Sequence, residues 1–206
     1  MPTLLHIDSS PRLDESVTRS LSAYYVRCWC ERVPDGLVIR RDLGVAPPPH
    51  PDALTLEAVT TPENERDERQ QAAAALADRM LEELEAADVV LIGAPMYNFS
   101  VTSGLKAWFD LVSRPGRTFR YGPNGQEGLL KGKKVVVITA RGGFYRSGTP
   151  DAAGDDLQER QIDSFFRFVG LDDIRFVHAE GQAIDAVTAE AEQARARADI
   201  DRLLES

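Results

Sequence analysis

The sequence has few of the features that mark secreted, membrane-bound or metal-binding proteins. It contains two cysteines and three histidines among 206 residues. None of its apolar runs approaches the roughly 18 residues that a membrane-spanning helix needs. The first ten residues lack the basic start of a secretory signal, and their apolar run ends at Asp8. We therefore expect a cytoplasmic protein that is not associated with a membrane.

The cysteines and histidines are also poorly placed for redox or metal chemistry. Cys28 and Cys30 lie two positions apart in a predicted helix, where their side chains do not face each other. We interpret them as reduced cysteines rather than as a disulfide or a redox pair. His6, His50 and His178 are scattered without the spacing of metal ligands, so no metal site is predicted.

Positive charge is scarce as well. The chain carries 24 basic and 33 acidic residues, which gives a net charge of −9. Proteins that follow nucleic-acid phosphates present a basic face, so we expect no nucleic-acid partner. A small anionic ligand is still compatible, because helix N-termini bind phosphate without basic side chains. We interpret Asp88, Asp110 and Glu180 as helix caps or surface charges.

What the sequence does contain is a regular alternation of short apolar runs and longer amphipathic segments. The runs predict strands at residues 4–7, 36–41, 89–92, 134–139 and 174–178. The amphipathic segments predict helices at residues 16–32, 65–87, 103–112, 157–169 and 186–204. This alternation predicts one α/β domain over residues 1–206. Its expected fold is flavodoxin-like, a five-stranded parallel sheet of order 2-1-3-4-5 with helices on both faces.

Two connections are too rich in proline or glycine to continue this pattern. Prolines at positions 47–49 and 51 predict a surface excursion, since proline fits neither a central strand nor a helix interior. Residues 113–131 predict a long loop, and loops of that length inside compact domains are often functional.

The loop after the first predicted strand is a candidate phosphate site. Ligands of such sheets lie beyond the carboxyl ends of the strands. This loop carries Ser9, Ser10, Ser16 and Thr18 and opens onto a helix, and hydroxyls beside free helix amides suit a phosphate. The sequence has no GxGxxG fingerprint and no Walker loop. The alternative interpretation is that Ser16 only caps the helix.

Two further loops are predicted at the same edge. Residues Met96 to Phe99 follow the third predicted strand, and bulky side chains there suit a flat heterocycle whose edge Asn98 could bind. The alternative is a loop tucked into the core. Gly142 and Gly143 follow the fourth predicted strand and allow a ligand to approach the backbone closely, although plain turns also use such a pair.

These loops also carry a family resemblance. Residues 94–101, 105–112, 118–121 and 139–143 resemble the FMN-dependent NADH-azoreductases, which are also described as FMN-dependent NADH:quinone oxidoreductases. The similarity covers essentially the whole chain, and the stretch Pro95 to Phe99 with the helix after it is its most specific part.

The resemblance implies one FMN site per subunit, at the interface of a homodimer. The residues implied are Ser10, Ser16, Val17 and Thr18 at the phosphate, Met96, Tyr97, Asn98 and Phe99 around the ring, and Ala140, Arg141, Gly142 and Gly143 at its pyrimidine side. Phe119 and Tyr121 would border the substrate pocket. This chain departs from the family pattern in two places. One is residues 11–15 of the first loop, and the other is position 140, where it has alanine and serine is usual.

The implied activity is two-electron reduction of quinones, with reductive cleavage of azo compounds. NADH would pass hydride to flavin N5 in a ping-pong cycle, and no catalytic side chain is predicted, because FMN carries the chemistry. One alternative is a flavodoxin-type electron carrier without its own substrate, and another is a non-flavin signalling or binding module. The predicted loop at residues 113–131 favours the enzyme, since a carrier has little use for a wall around a substrate pocket.

Overall fold

The computed structural model describes residues 1–123, 125–146 and 156–205, and within them the alternating pattern forms the expected layers. The strands are β1 (Thr3–Asp8), β2 (Leu37–Asp42), β3 (Val89–Pro95), β4 (Phe119–Gly122), β5 (Gly125–Gly128), β6 (Lys134–Ala140) and β7 (Ile174–Ala179). The α-helices are α1 (Val17–Arg32), α2 (Ala53–Thr60), α3 (Glu68–Ala86), α4 (Ser103–Val112), α5 (Leu157–Val169) and α6 (Ala186–Glu205).

Five strands form one sheet in the order β2-β1-β3-β6-β7. Every pairing in this sheet is parallel, so the carboxyl ends of all five strands lie at one edge. β4 and β5 form a separate two-stranded sheet. The main sheet therefore has the predicted order 2-1-3-4-5, and the prediction of the fold class is confirmed.

Helices cover both faces of this sheet because its strands are apolar on both faces. Successive residues of a strand point to opposite sides. In β3, Ile92 packs into a cluster with Trp108 and Phe166, whereas its neighbour Leu91 packs into a second cluster with Trp29. The near-continuous apolar run of this strand follows directly from its burial on two sides.

Two connections differ from the sequence predictions. The predicted loop at residues 113–131 contains the antiparallel hairpin β4–β5. The proline-rich excursion leads into α2, which begins after its N-cap residue Asp52 and was not predicted. Each strand of the hairpin has four residues and α2 has eight, so neither element repeats its apolar pattern long enough to be recognised.

The hairpin is fixed to the end of α5 by backbone contacts. The amide of Leu130 donates to the carbonyl of Val169 at 2.9 Å, and the side-chain amide of Gln126 donates to a neighbouring carbonyl of the helix. A Cβ added to Gly128 would lie 2.1 Å from the nitrogen of Gly170. Gly170 itself has a φ of 99°, the left-handed geometry that favours glycine after a helix.

Cys28 is buried in α1 and Cys30 is exposed, and both are free thiols. In the part of the chain that the structure describes, no group of three or more histidine, cysteine or acidic side chains could hold a metal ion. The helices in that part are also too short or too polar to cross a membrane.

Candidate functional site

A cleft of about 340 Å³ lies at the carboxyl edge of the main sheet. Its walls come from the loops after β1, β3 and β6 and from the segment after β7. The structure brings most of the predicted cofactor residues into this one cleft. Those that line it are Ser10, Ser16, Val17, Thr18, Met96, Tyr97, Ala140, Arg141 and Gly142.

The loop after β1 presents hydrogen-bond donors to one end of the cleft. Ser16 is the N-cap of α1, and its hydroxyl lies 3.3 Å from that of Thr18. The first amides of a helix have no acceptor within it. Among the described residues, the amides of Val17 and Thr18 also find no acceptor elsewhere. Ser16 is therefore a cap, and the two amides behind it are available as donors of the kind that binds anions at helix N-termini.

The loop after β3 is a tight turn at the surface. Tyr97 and Ser100 exchange two backbone hydrogen bonds of 3.0 Å across the turn. Asn98 and Phe99 between them have φ of 48° and 68°. Asn is common in this left-handed region, but a bulky residue such as Phe is rarely found there. Phe99 is 59% exposed, so its strained backbone is not explained by packing of its ring in the core.

The loop after β6 is held in place by hydrogen bonds between its carbonyls and the segment after β7. The carbonyls of residues 141–143 accept hydrogen bonds of 2.9–3.0 Å from the amides of residues 181–183. The amides of Gly142, Gly143 and Phe144 make no hydrogen bond within the described part of the chain. This loop therefore places unpaired backbone donors at the sheet edge, beside the cleft that Gly142 lines.

A buried ion cluster lies beneath this loop. The Arg141 side chain is fully buried and pairs with Asp156 and, at 3.3 Å, with Glu180. One oxygen of Glu180 also accepts the amides of Tyr145 and Arg146, at 2.8 and 3.0 Å. The interpretation of Glu180 as a cap or surface charge was wrong, because the guanidinium compensates its carboxylate in the interior. Arg141 lines the cleft while its charge is bound among these carboxylates.

His178 is also occupied at the end of β7. Its Nε2 lies 2.8 Å from a carboxylate oxygen of Glu159. Burial is the largest single effect on Glu159 and raises its pKa. The hydrogen bond with His178, the electrostatic attraction of His178 and Arg141 and a hydrogen bond with Asp156 together outweigh burial and hold the pKa below its usual value. His178 is not among the residues that line the cleft.

The predicted substrate-pocket residues lie apart from the cleft of their own chain. Phe119 packs its ring on Phe168 at the end of α5, at 4.6 Å between centroids. Tyr121 is 76% exposed beside it on β4. Neither side chain lines the cleft of the same protomer.

A second cavity of about 460 Å³ adjoins the cleft, and Tyr97 lines both. Asn98, Lys106 and Gln161 are among the residues around this second space. Tyr97 therefore borders both the cleft and this second space, which the start of α4 also lines.

Several residues of the cleft were not predicted. Gln182 and Ala183 belong to the segment after β7, which shares the carboxyl edge because all five strands are parallel. That rule could have revealed them, and the glycine at position 181 is a sign of a turn in the sequence, which the structure bears out with a φ of 66°. Arg12 and Glu15, from the first loop, also line the cleft.

Comparisons with known proteins show which family the chain belongs to. Residues 2–204 match a family described as having a flavodoxin-like fold. A relative from Herminiimonas arsenicoxydans, named FMN-dependent NADH:quinone oxidoreductase, is 41% identical over 204 residues, which is 99% of each chain. A relative from Pseudomonas aeruginosa, named FMN-dependent NADH:quinone oxidoreductase 3, is 43% identical over 100% of this chain and 94% of its own.

A solved structure supports the same grouping. The crystal structure of an azoreductase from Bacillus anthracis matches with a TM-score of 0.89 at 26% identity, and the match covers 99% of each chain. Since the family match spans almost the whole chain and the relatives exceed 40% identity, the chain belongs to the flavodoxin-like fold family, among the FMN-dependent NADH:quinone oxidoreductases.

Proposed function

We propose that this protein is an enzyme that binds FMN and uses NADH to reduce quinones by two electrons, and that it also cleaves azo compounds reductively. We place the activity in a single domain over residues 1–206. The observation that carries the proposal is the cleft, where the loops after four parallel strands meet. These loops bring together hydrogen-bond donors that suit an anion and a turn that carries an aromatic side chain.

The residues of the cleft fit FMN by the chemistry of their donors. The free amides of Val17 and Thr18 and the hydroxyls of Ser10 and Ser16 suit its phosphate. Tyr97 and Met96 suit a flat ring, and the free amides after Arg141 can donate to ring carbonyls or nitrogens. The resemblance of the sequence and the names of the relatives point to the same cofactor.

The protein would bind and orient the reactants rather than act as an acid, base or nucleophile. FMN, when bound, would supply the redox chemistry, which is the transfer of two electrons from NADH to the acceptor. The two reactants would use the same place in turn, in a ping-pong sequence. The amides of Gly142 and Gly143 would stabilise negative charge on the cofactor ring without having to reorient. Tyr97 and the turn beside it would limit the access of water to the ring.

We further propose a homodimer with its two cofactor sites at the interface. Large apolar side chains that are exposed in one protomer support it, since Phe99 is 59% and Tyr121 is 76% exposed. A single chain leaves Phe119 and Tyr121 away from its own cleft. In the dimer, β4 of one protomer would border the substrate pocket of the other.

The visible spectrum of the purified protein tests the proposal. We expect flavin absorbance at one equivalent per subunit, bleaching by NADH, and recovery of the absorbance when menadione is added. A protein that takes up FMN but does not oxidise NADH with several quinones would be an electron carrier. A colourless protein whose melting temperature does not rise with added FMN would be a non-flavin module.

A further inference from the structure

We infer that Arg19 is a positioning residue for the phosphate-binding loop and that it determines how strongly the protein prefers FMN to riboflavin. The inference rests on the proposed FMN site and adds a residue to it. Arg19 does not line the cleft, so it would act on the cofactor through the loop rather than by contact.

The guanidinium of Arg19 holds the backbone of the first loop from behind. Its Nε donates to the carbonyl of Arg12 at 3.1 Å, and its Nη2 donates to the carbonyl of Ser10 at 2.7 Å. The remaining donors face the end of β2, where Nη1 and Nη2 reach the two carboxylate oxygens of Asp42 at 2.6 and 2.7 Å. One side chain thus joins β2, α1 and the loop.

These contacts determine which backbone groups the loop offers to an anion. A carbonyl oxygen that faced the cleft would repel a phosphate, and both carbonyls are bound to the guanidinium instead. Residue 11 is proline, so the peptide after Ser10 has no donor that could be lost by this arrangement. The peptide after Arg12 is trans, so its N–H lies on the side opposite to the bound carbonyl.

The charge of Arg19 is balanced within the protein. Asp42 makes the bidentate pair, and Asp8 lies 3.7 Å away. The hydrogen bond with Asp42 raises the pKa of Arg19 and lowers the pKa of Asp42, so both groups are charged at neutral pH. A guanidinium neutralised in this way serves to orient the loop and does not act as a free cation for the phosphate.

The segment after β2 packs closely against the groups that make these contacts. A Cβ added to Gly44 would lie 1.9 Å from the carbonyl oxygen of Ser10 and 2.6 Å from Nη2 of Arg19. Asp42 also accepts the amides of Gly44 and Val45, each at 3.0 Å. Lysine could not replace Arg19 here, because one ammonium cannot reproduce the planar fork that reaches two carbonyls and a carboxylate.

The test compares the binding of FMN and riboflavin, which differ in the phosphate. Dissociation constants for both flavins would be measured by fluorescence titration of the apoprotein for wild type, Arg19→Lys and Arg27→Lys. Arg27 lies on the same helix but is exposed over the ring of Tyr24, at 5.1 Å from its centroid, and serves as the matched control.

We expect Arg19→Lys to weaken FMN binding about tenfold, as expected for the loss of one charge-assisted hydrogen bond, and riboflavin binding less than about twofold. Arg27→Lys should change neither constant. Equal weakening of both flavins by Arg19→Lys would show a merely structural role and overturn the inference. If that variant does not fold, Asp42→Asn removes the anchor of the guanidinium, and an unchanged FMN preference in it would also overturn the inference.

The same titration separates this inference from the proposed function. A wild-type protein that binds neither flavin overturns the proposed FMN site and the inference with it. A wild type that prefers FMN, together with an Arg19→Lys variant that keeps the same preference, overturns only the role of Arg19.

Discussion

The loops after β1 and β6 both border the cleft, but they are held by different parts of the chain. In the loop after β1, the carbonyls of Ser10 and Arg12 are bound by the side chain of Arg19. In the loop after β6, the carbonyls of residues 141–143 are bound by the backbone amides of residues 181–183. In both loops, amides remain without an acceptor in the described part of the chain.

The two loops thus keep backbone amides without an acceptor, among the described residues, in two different ways. When its carbonyls are bound on the side away from the cleft, a loop is left with donors for a ligand that carries hydrogen-bond acceptors. Hydrogen bonds between backbone groups depend little on sequence, whereas the support that Arg19 gives depends on that residue and on Asp42. Because Arg19 contacts carbonyl oxygens of the first loop, its support does not depend on which side chains residues 10 and 12 carry.

The largest effect is expected beneath the loop after β6. Glu180→Gln keeps an acceptor for the amides of Tyr145 and Arg146 but removes a fully buried charge that balances Arg141. Breaking a buried pair in this way costs about 3 kcal/mol of the free energy of unfolding, measured by urea denaturation. The control is Glu127→Gln, whose exposed pair with Arg120 contributes little. Equal losses in the two variants would contradict a structural role for Glu180.

The next prediction compares one glycine near each loop. Gly44→Ala places a Cβ 1.9 Å from the carbonyl oxygen of Ser10, so the backbone has to shift, at a cost of about 2 kcal/mol. Among the described residues, the new methyl of Gly142→Ala meets only the Ala183 methyl, at 3.3 Å, and the change should cost less than about 1 kcal/mol. Thermal unfolding measures both, and the reverse order would show that the first loop yields more easily than the second.

The third prediction concerns the loop after β3, which is held mainly by its own turn. Phe99→Gly removes a bulky residue from left-handed backbone, so we expect the protein to gain roughly 0.5–1 kcal/mol of stability. The exposed ring contributes little to the core, but its loss should lower quinone turnover if the ring covers the cofactor. A less stable variant, measured by chemical denaturation, would mean that the ring stabilises the turn more than the backbone strains it.

The smallest effect is expected from acid. The hydrogen bond with Arg19 depresses the pKa of Asp42, so this pair stabilises the protein above the ordinary carboxyl pKa of about 4 and the contribution disappears as pH falls through the lower folded value. The carboxylate is partly exposed, so we expect well under about 1 kcal/mol. Unfolding free energies between pH 3 and about pH 6 should fall less steeply in Asp42→Asn than in wild type; parallel curves would contradict the assignment.

The sheet and its edge could be predicted from the sequence, because strands buried on both faces leave continuous apolar runs such as Val89 to Ile92. Parallel strands then bring their following loops together, which placed Ser10, Tyr97 and Gly142 around one cleft. The hairpin and α2 were missed because both are short and largely exposed.

The supports of the loops could not be predicted, because they arise from contacts that are distant in sequence. Arg19 meets Asp42 only because β1 pairs with β2 in a register that sets Asp8 beside Asp42. Glu180 looked like an exposed acid at a strand end, and its burial follows from Arg141, 39 residues away. Charged residues give no periodic signal, so sequence patterns cannot reveal which of them pair in the interior.

The contact between Gly128 and Gly170 has a consequence for how an acceptor enters the enzyme. Backbone atoms that meet without intervening side chains cannot slide or tilt far, so the hairpin moves together with α5. Whatever Tyr121 borders, it would therefore meet incoming molecules as a fixed wall and not as a lid. If Tyr121 borders the substrate pocket as we propose, that side of the pocket would be rigid, and acceptors would be selected there by whether they fit its shape.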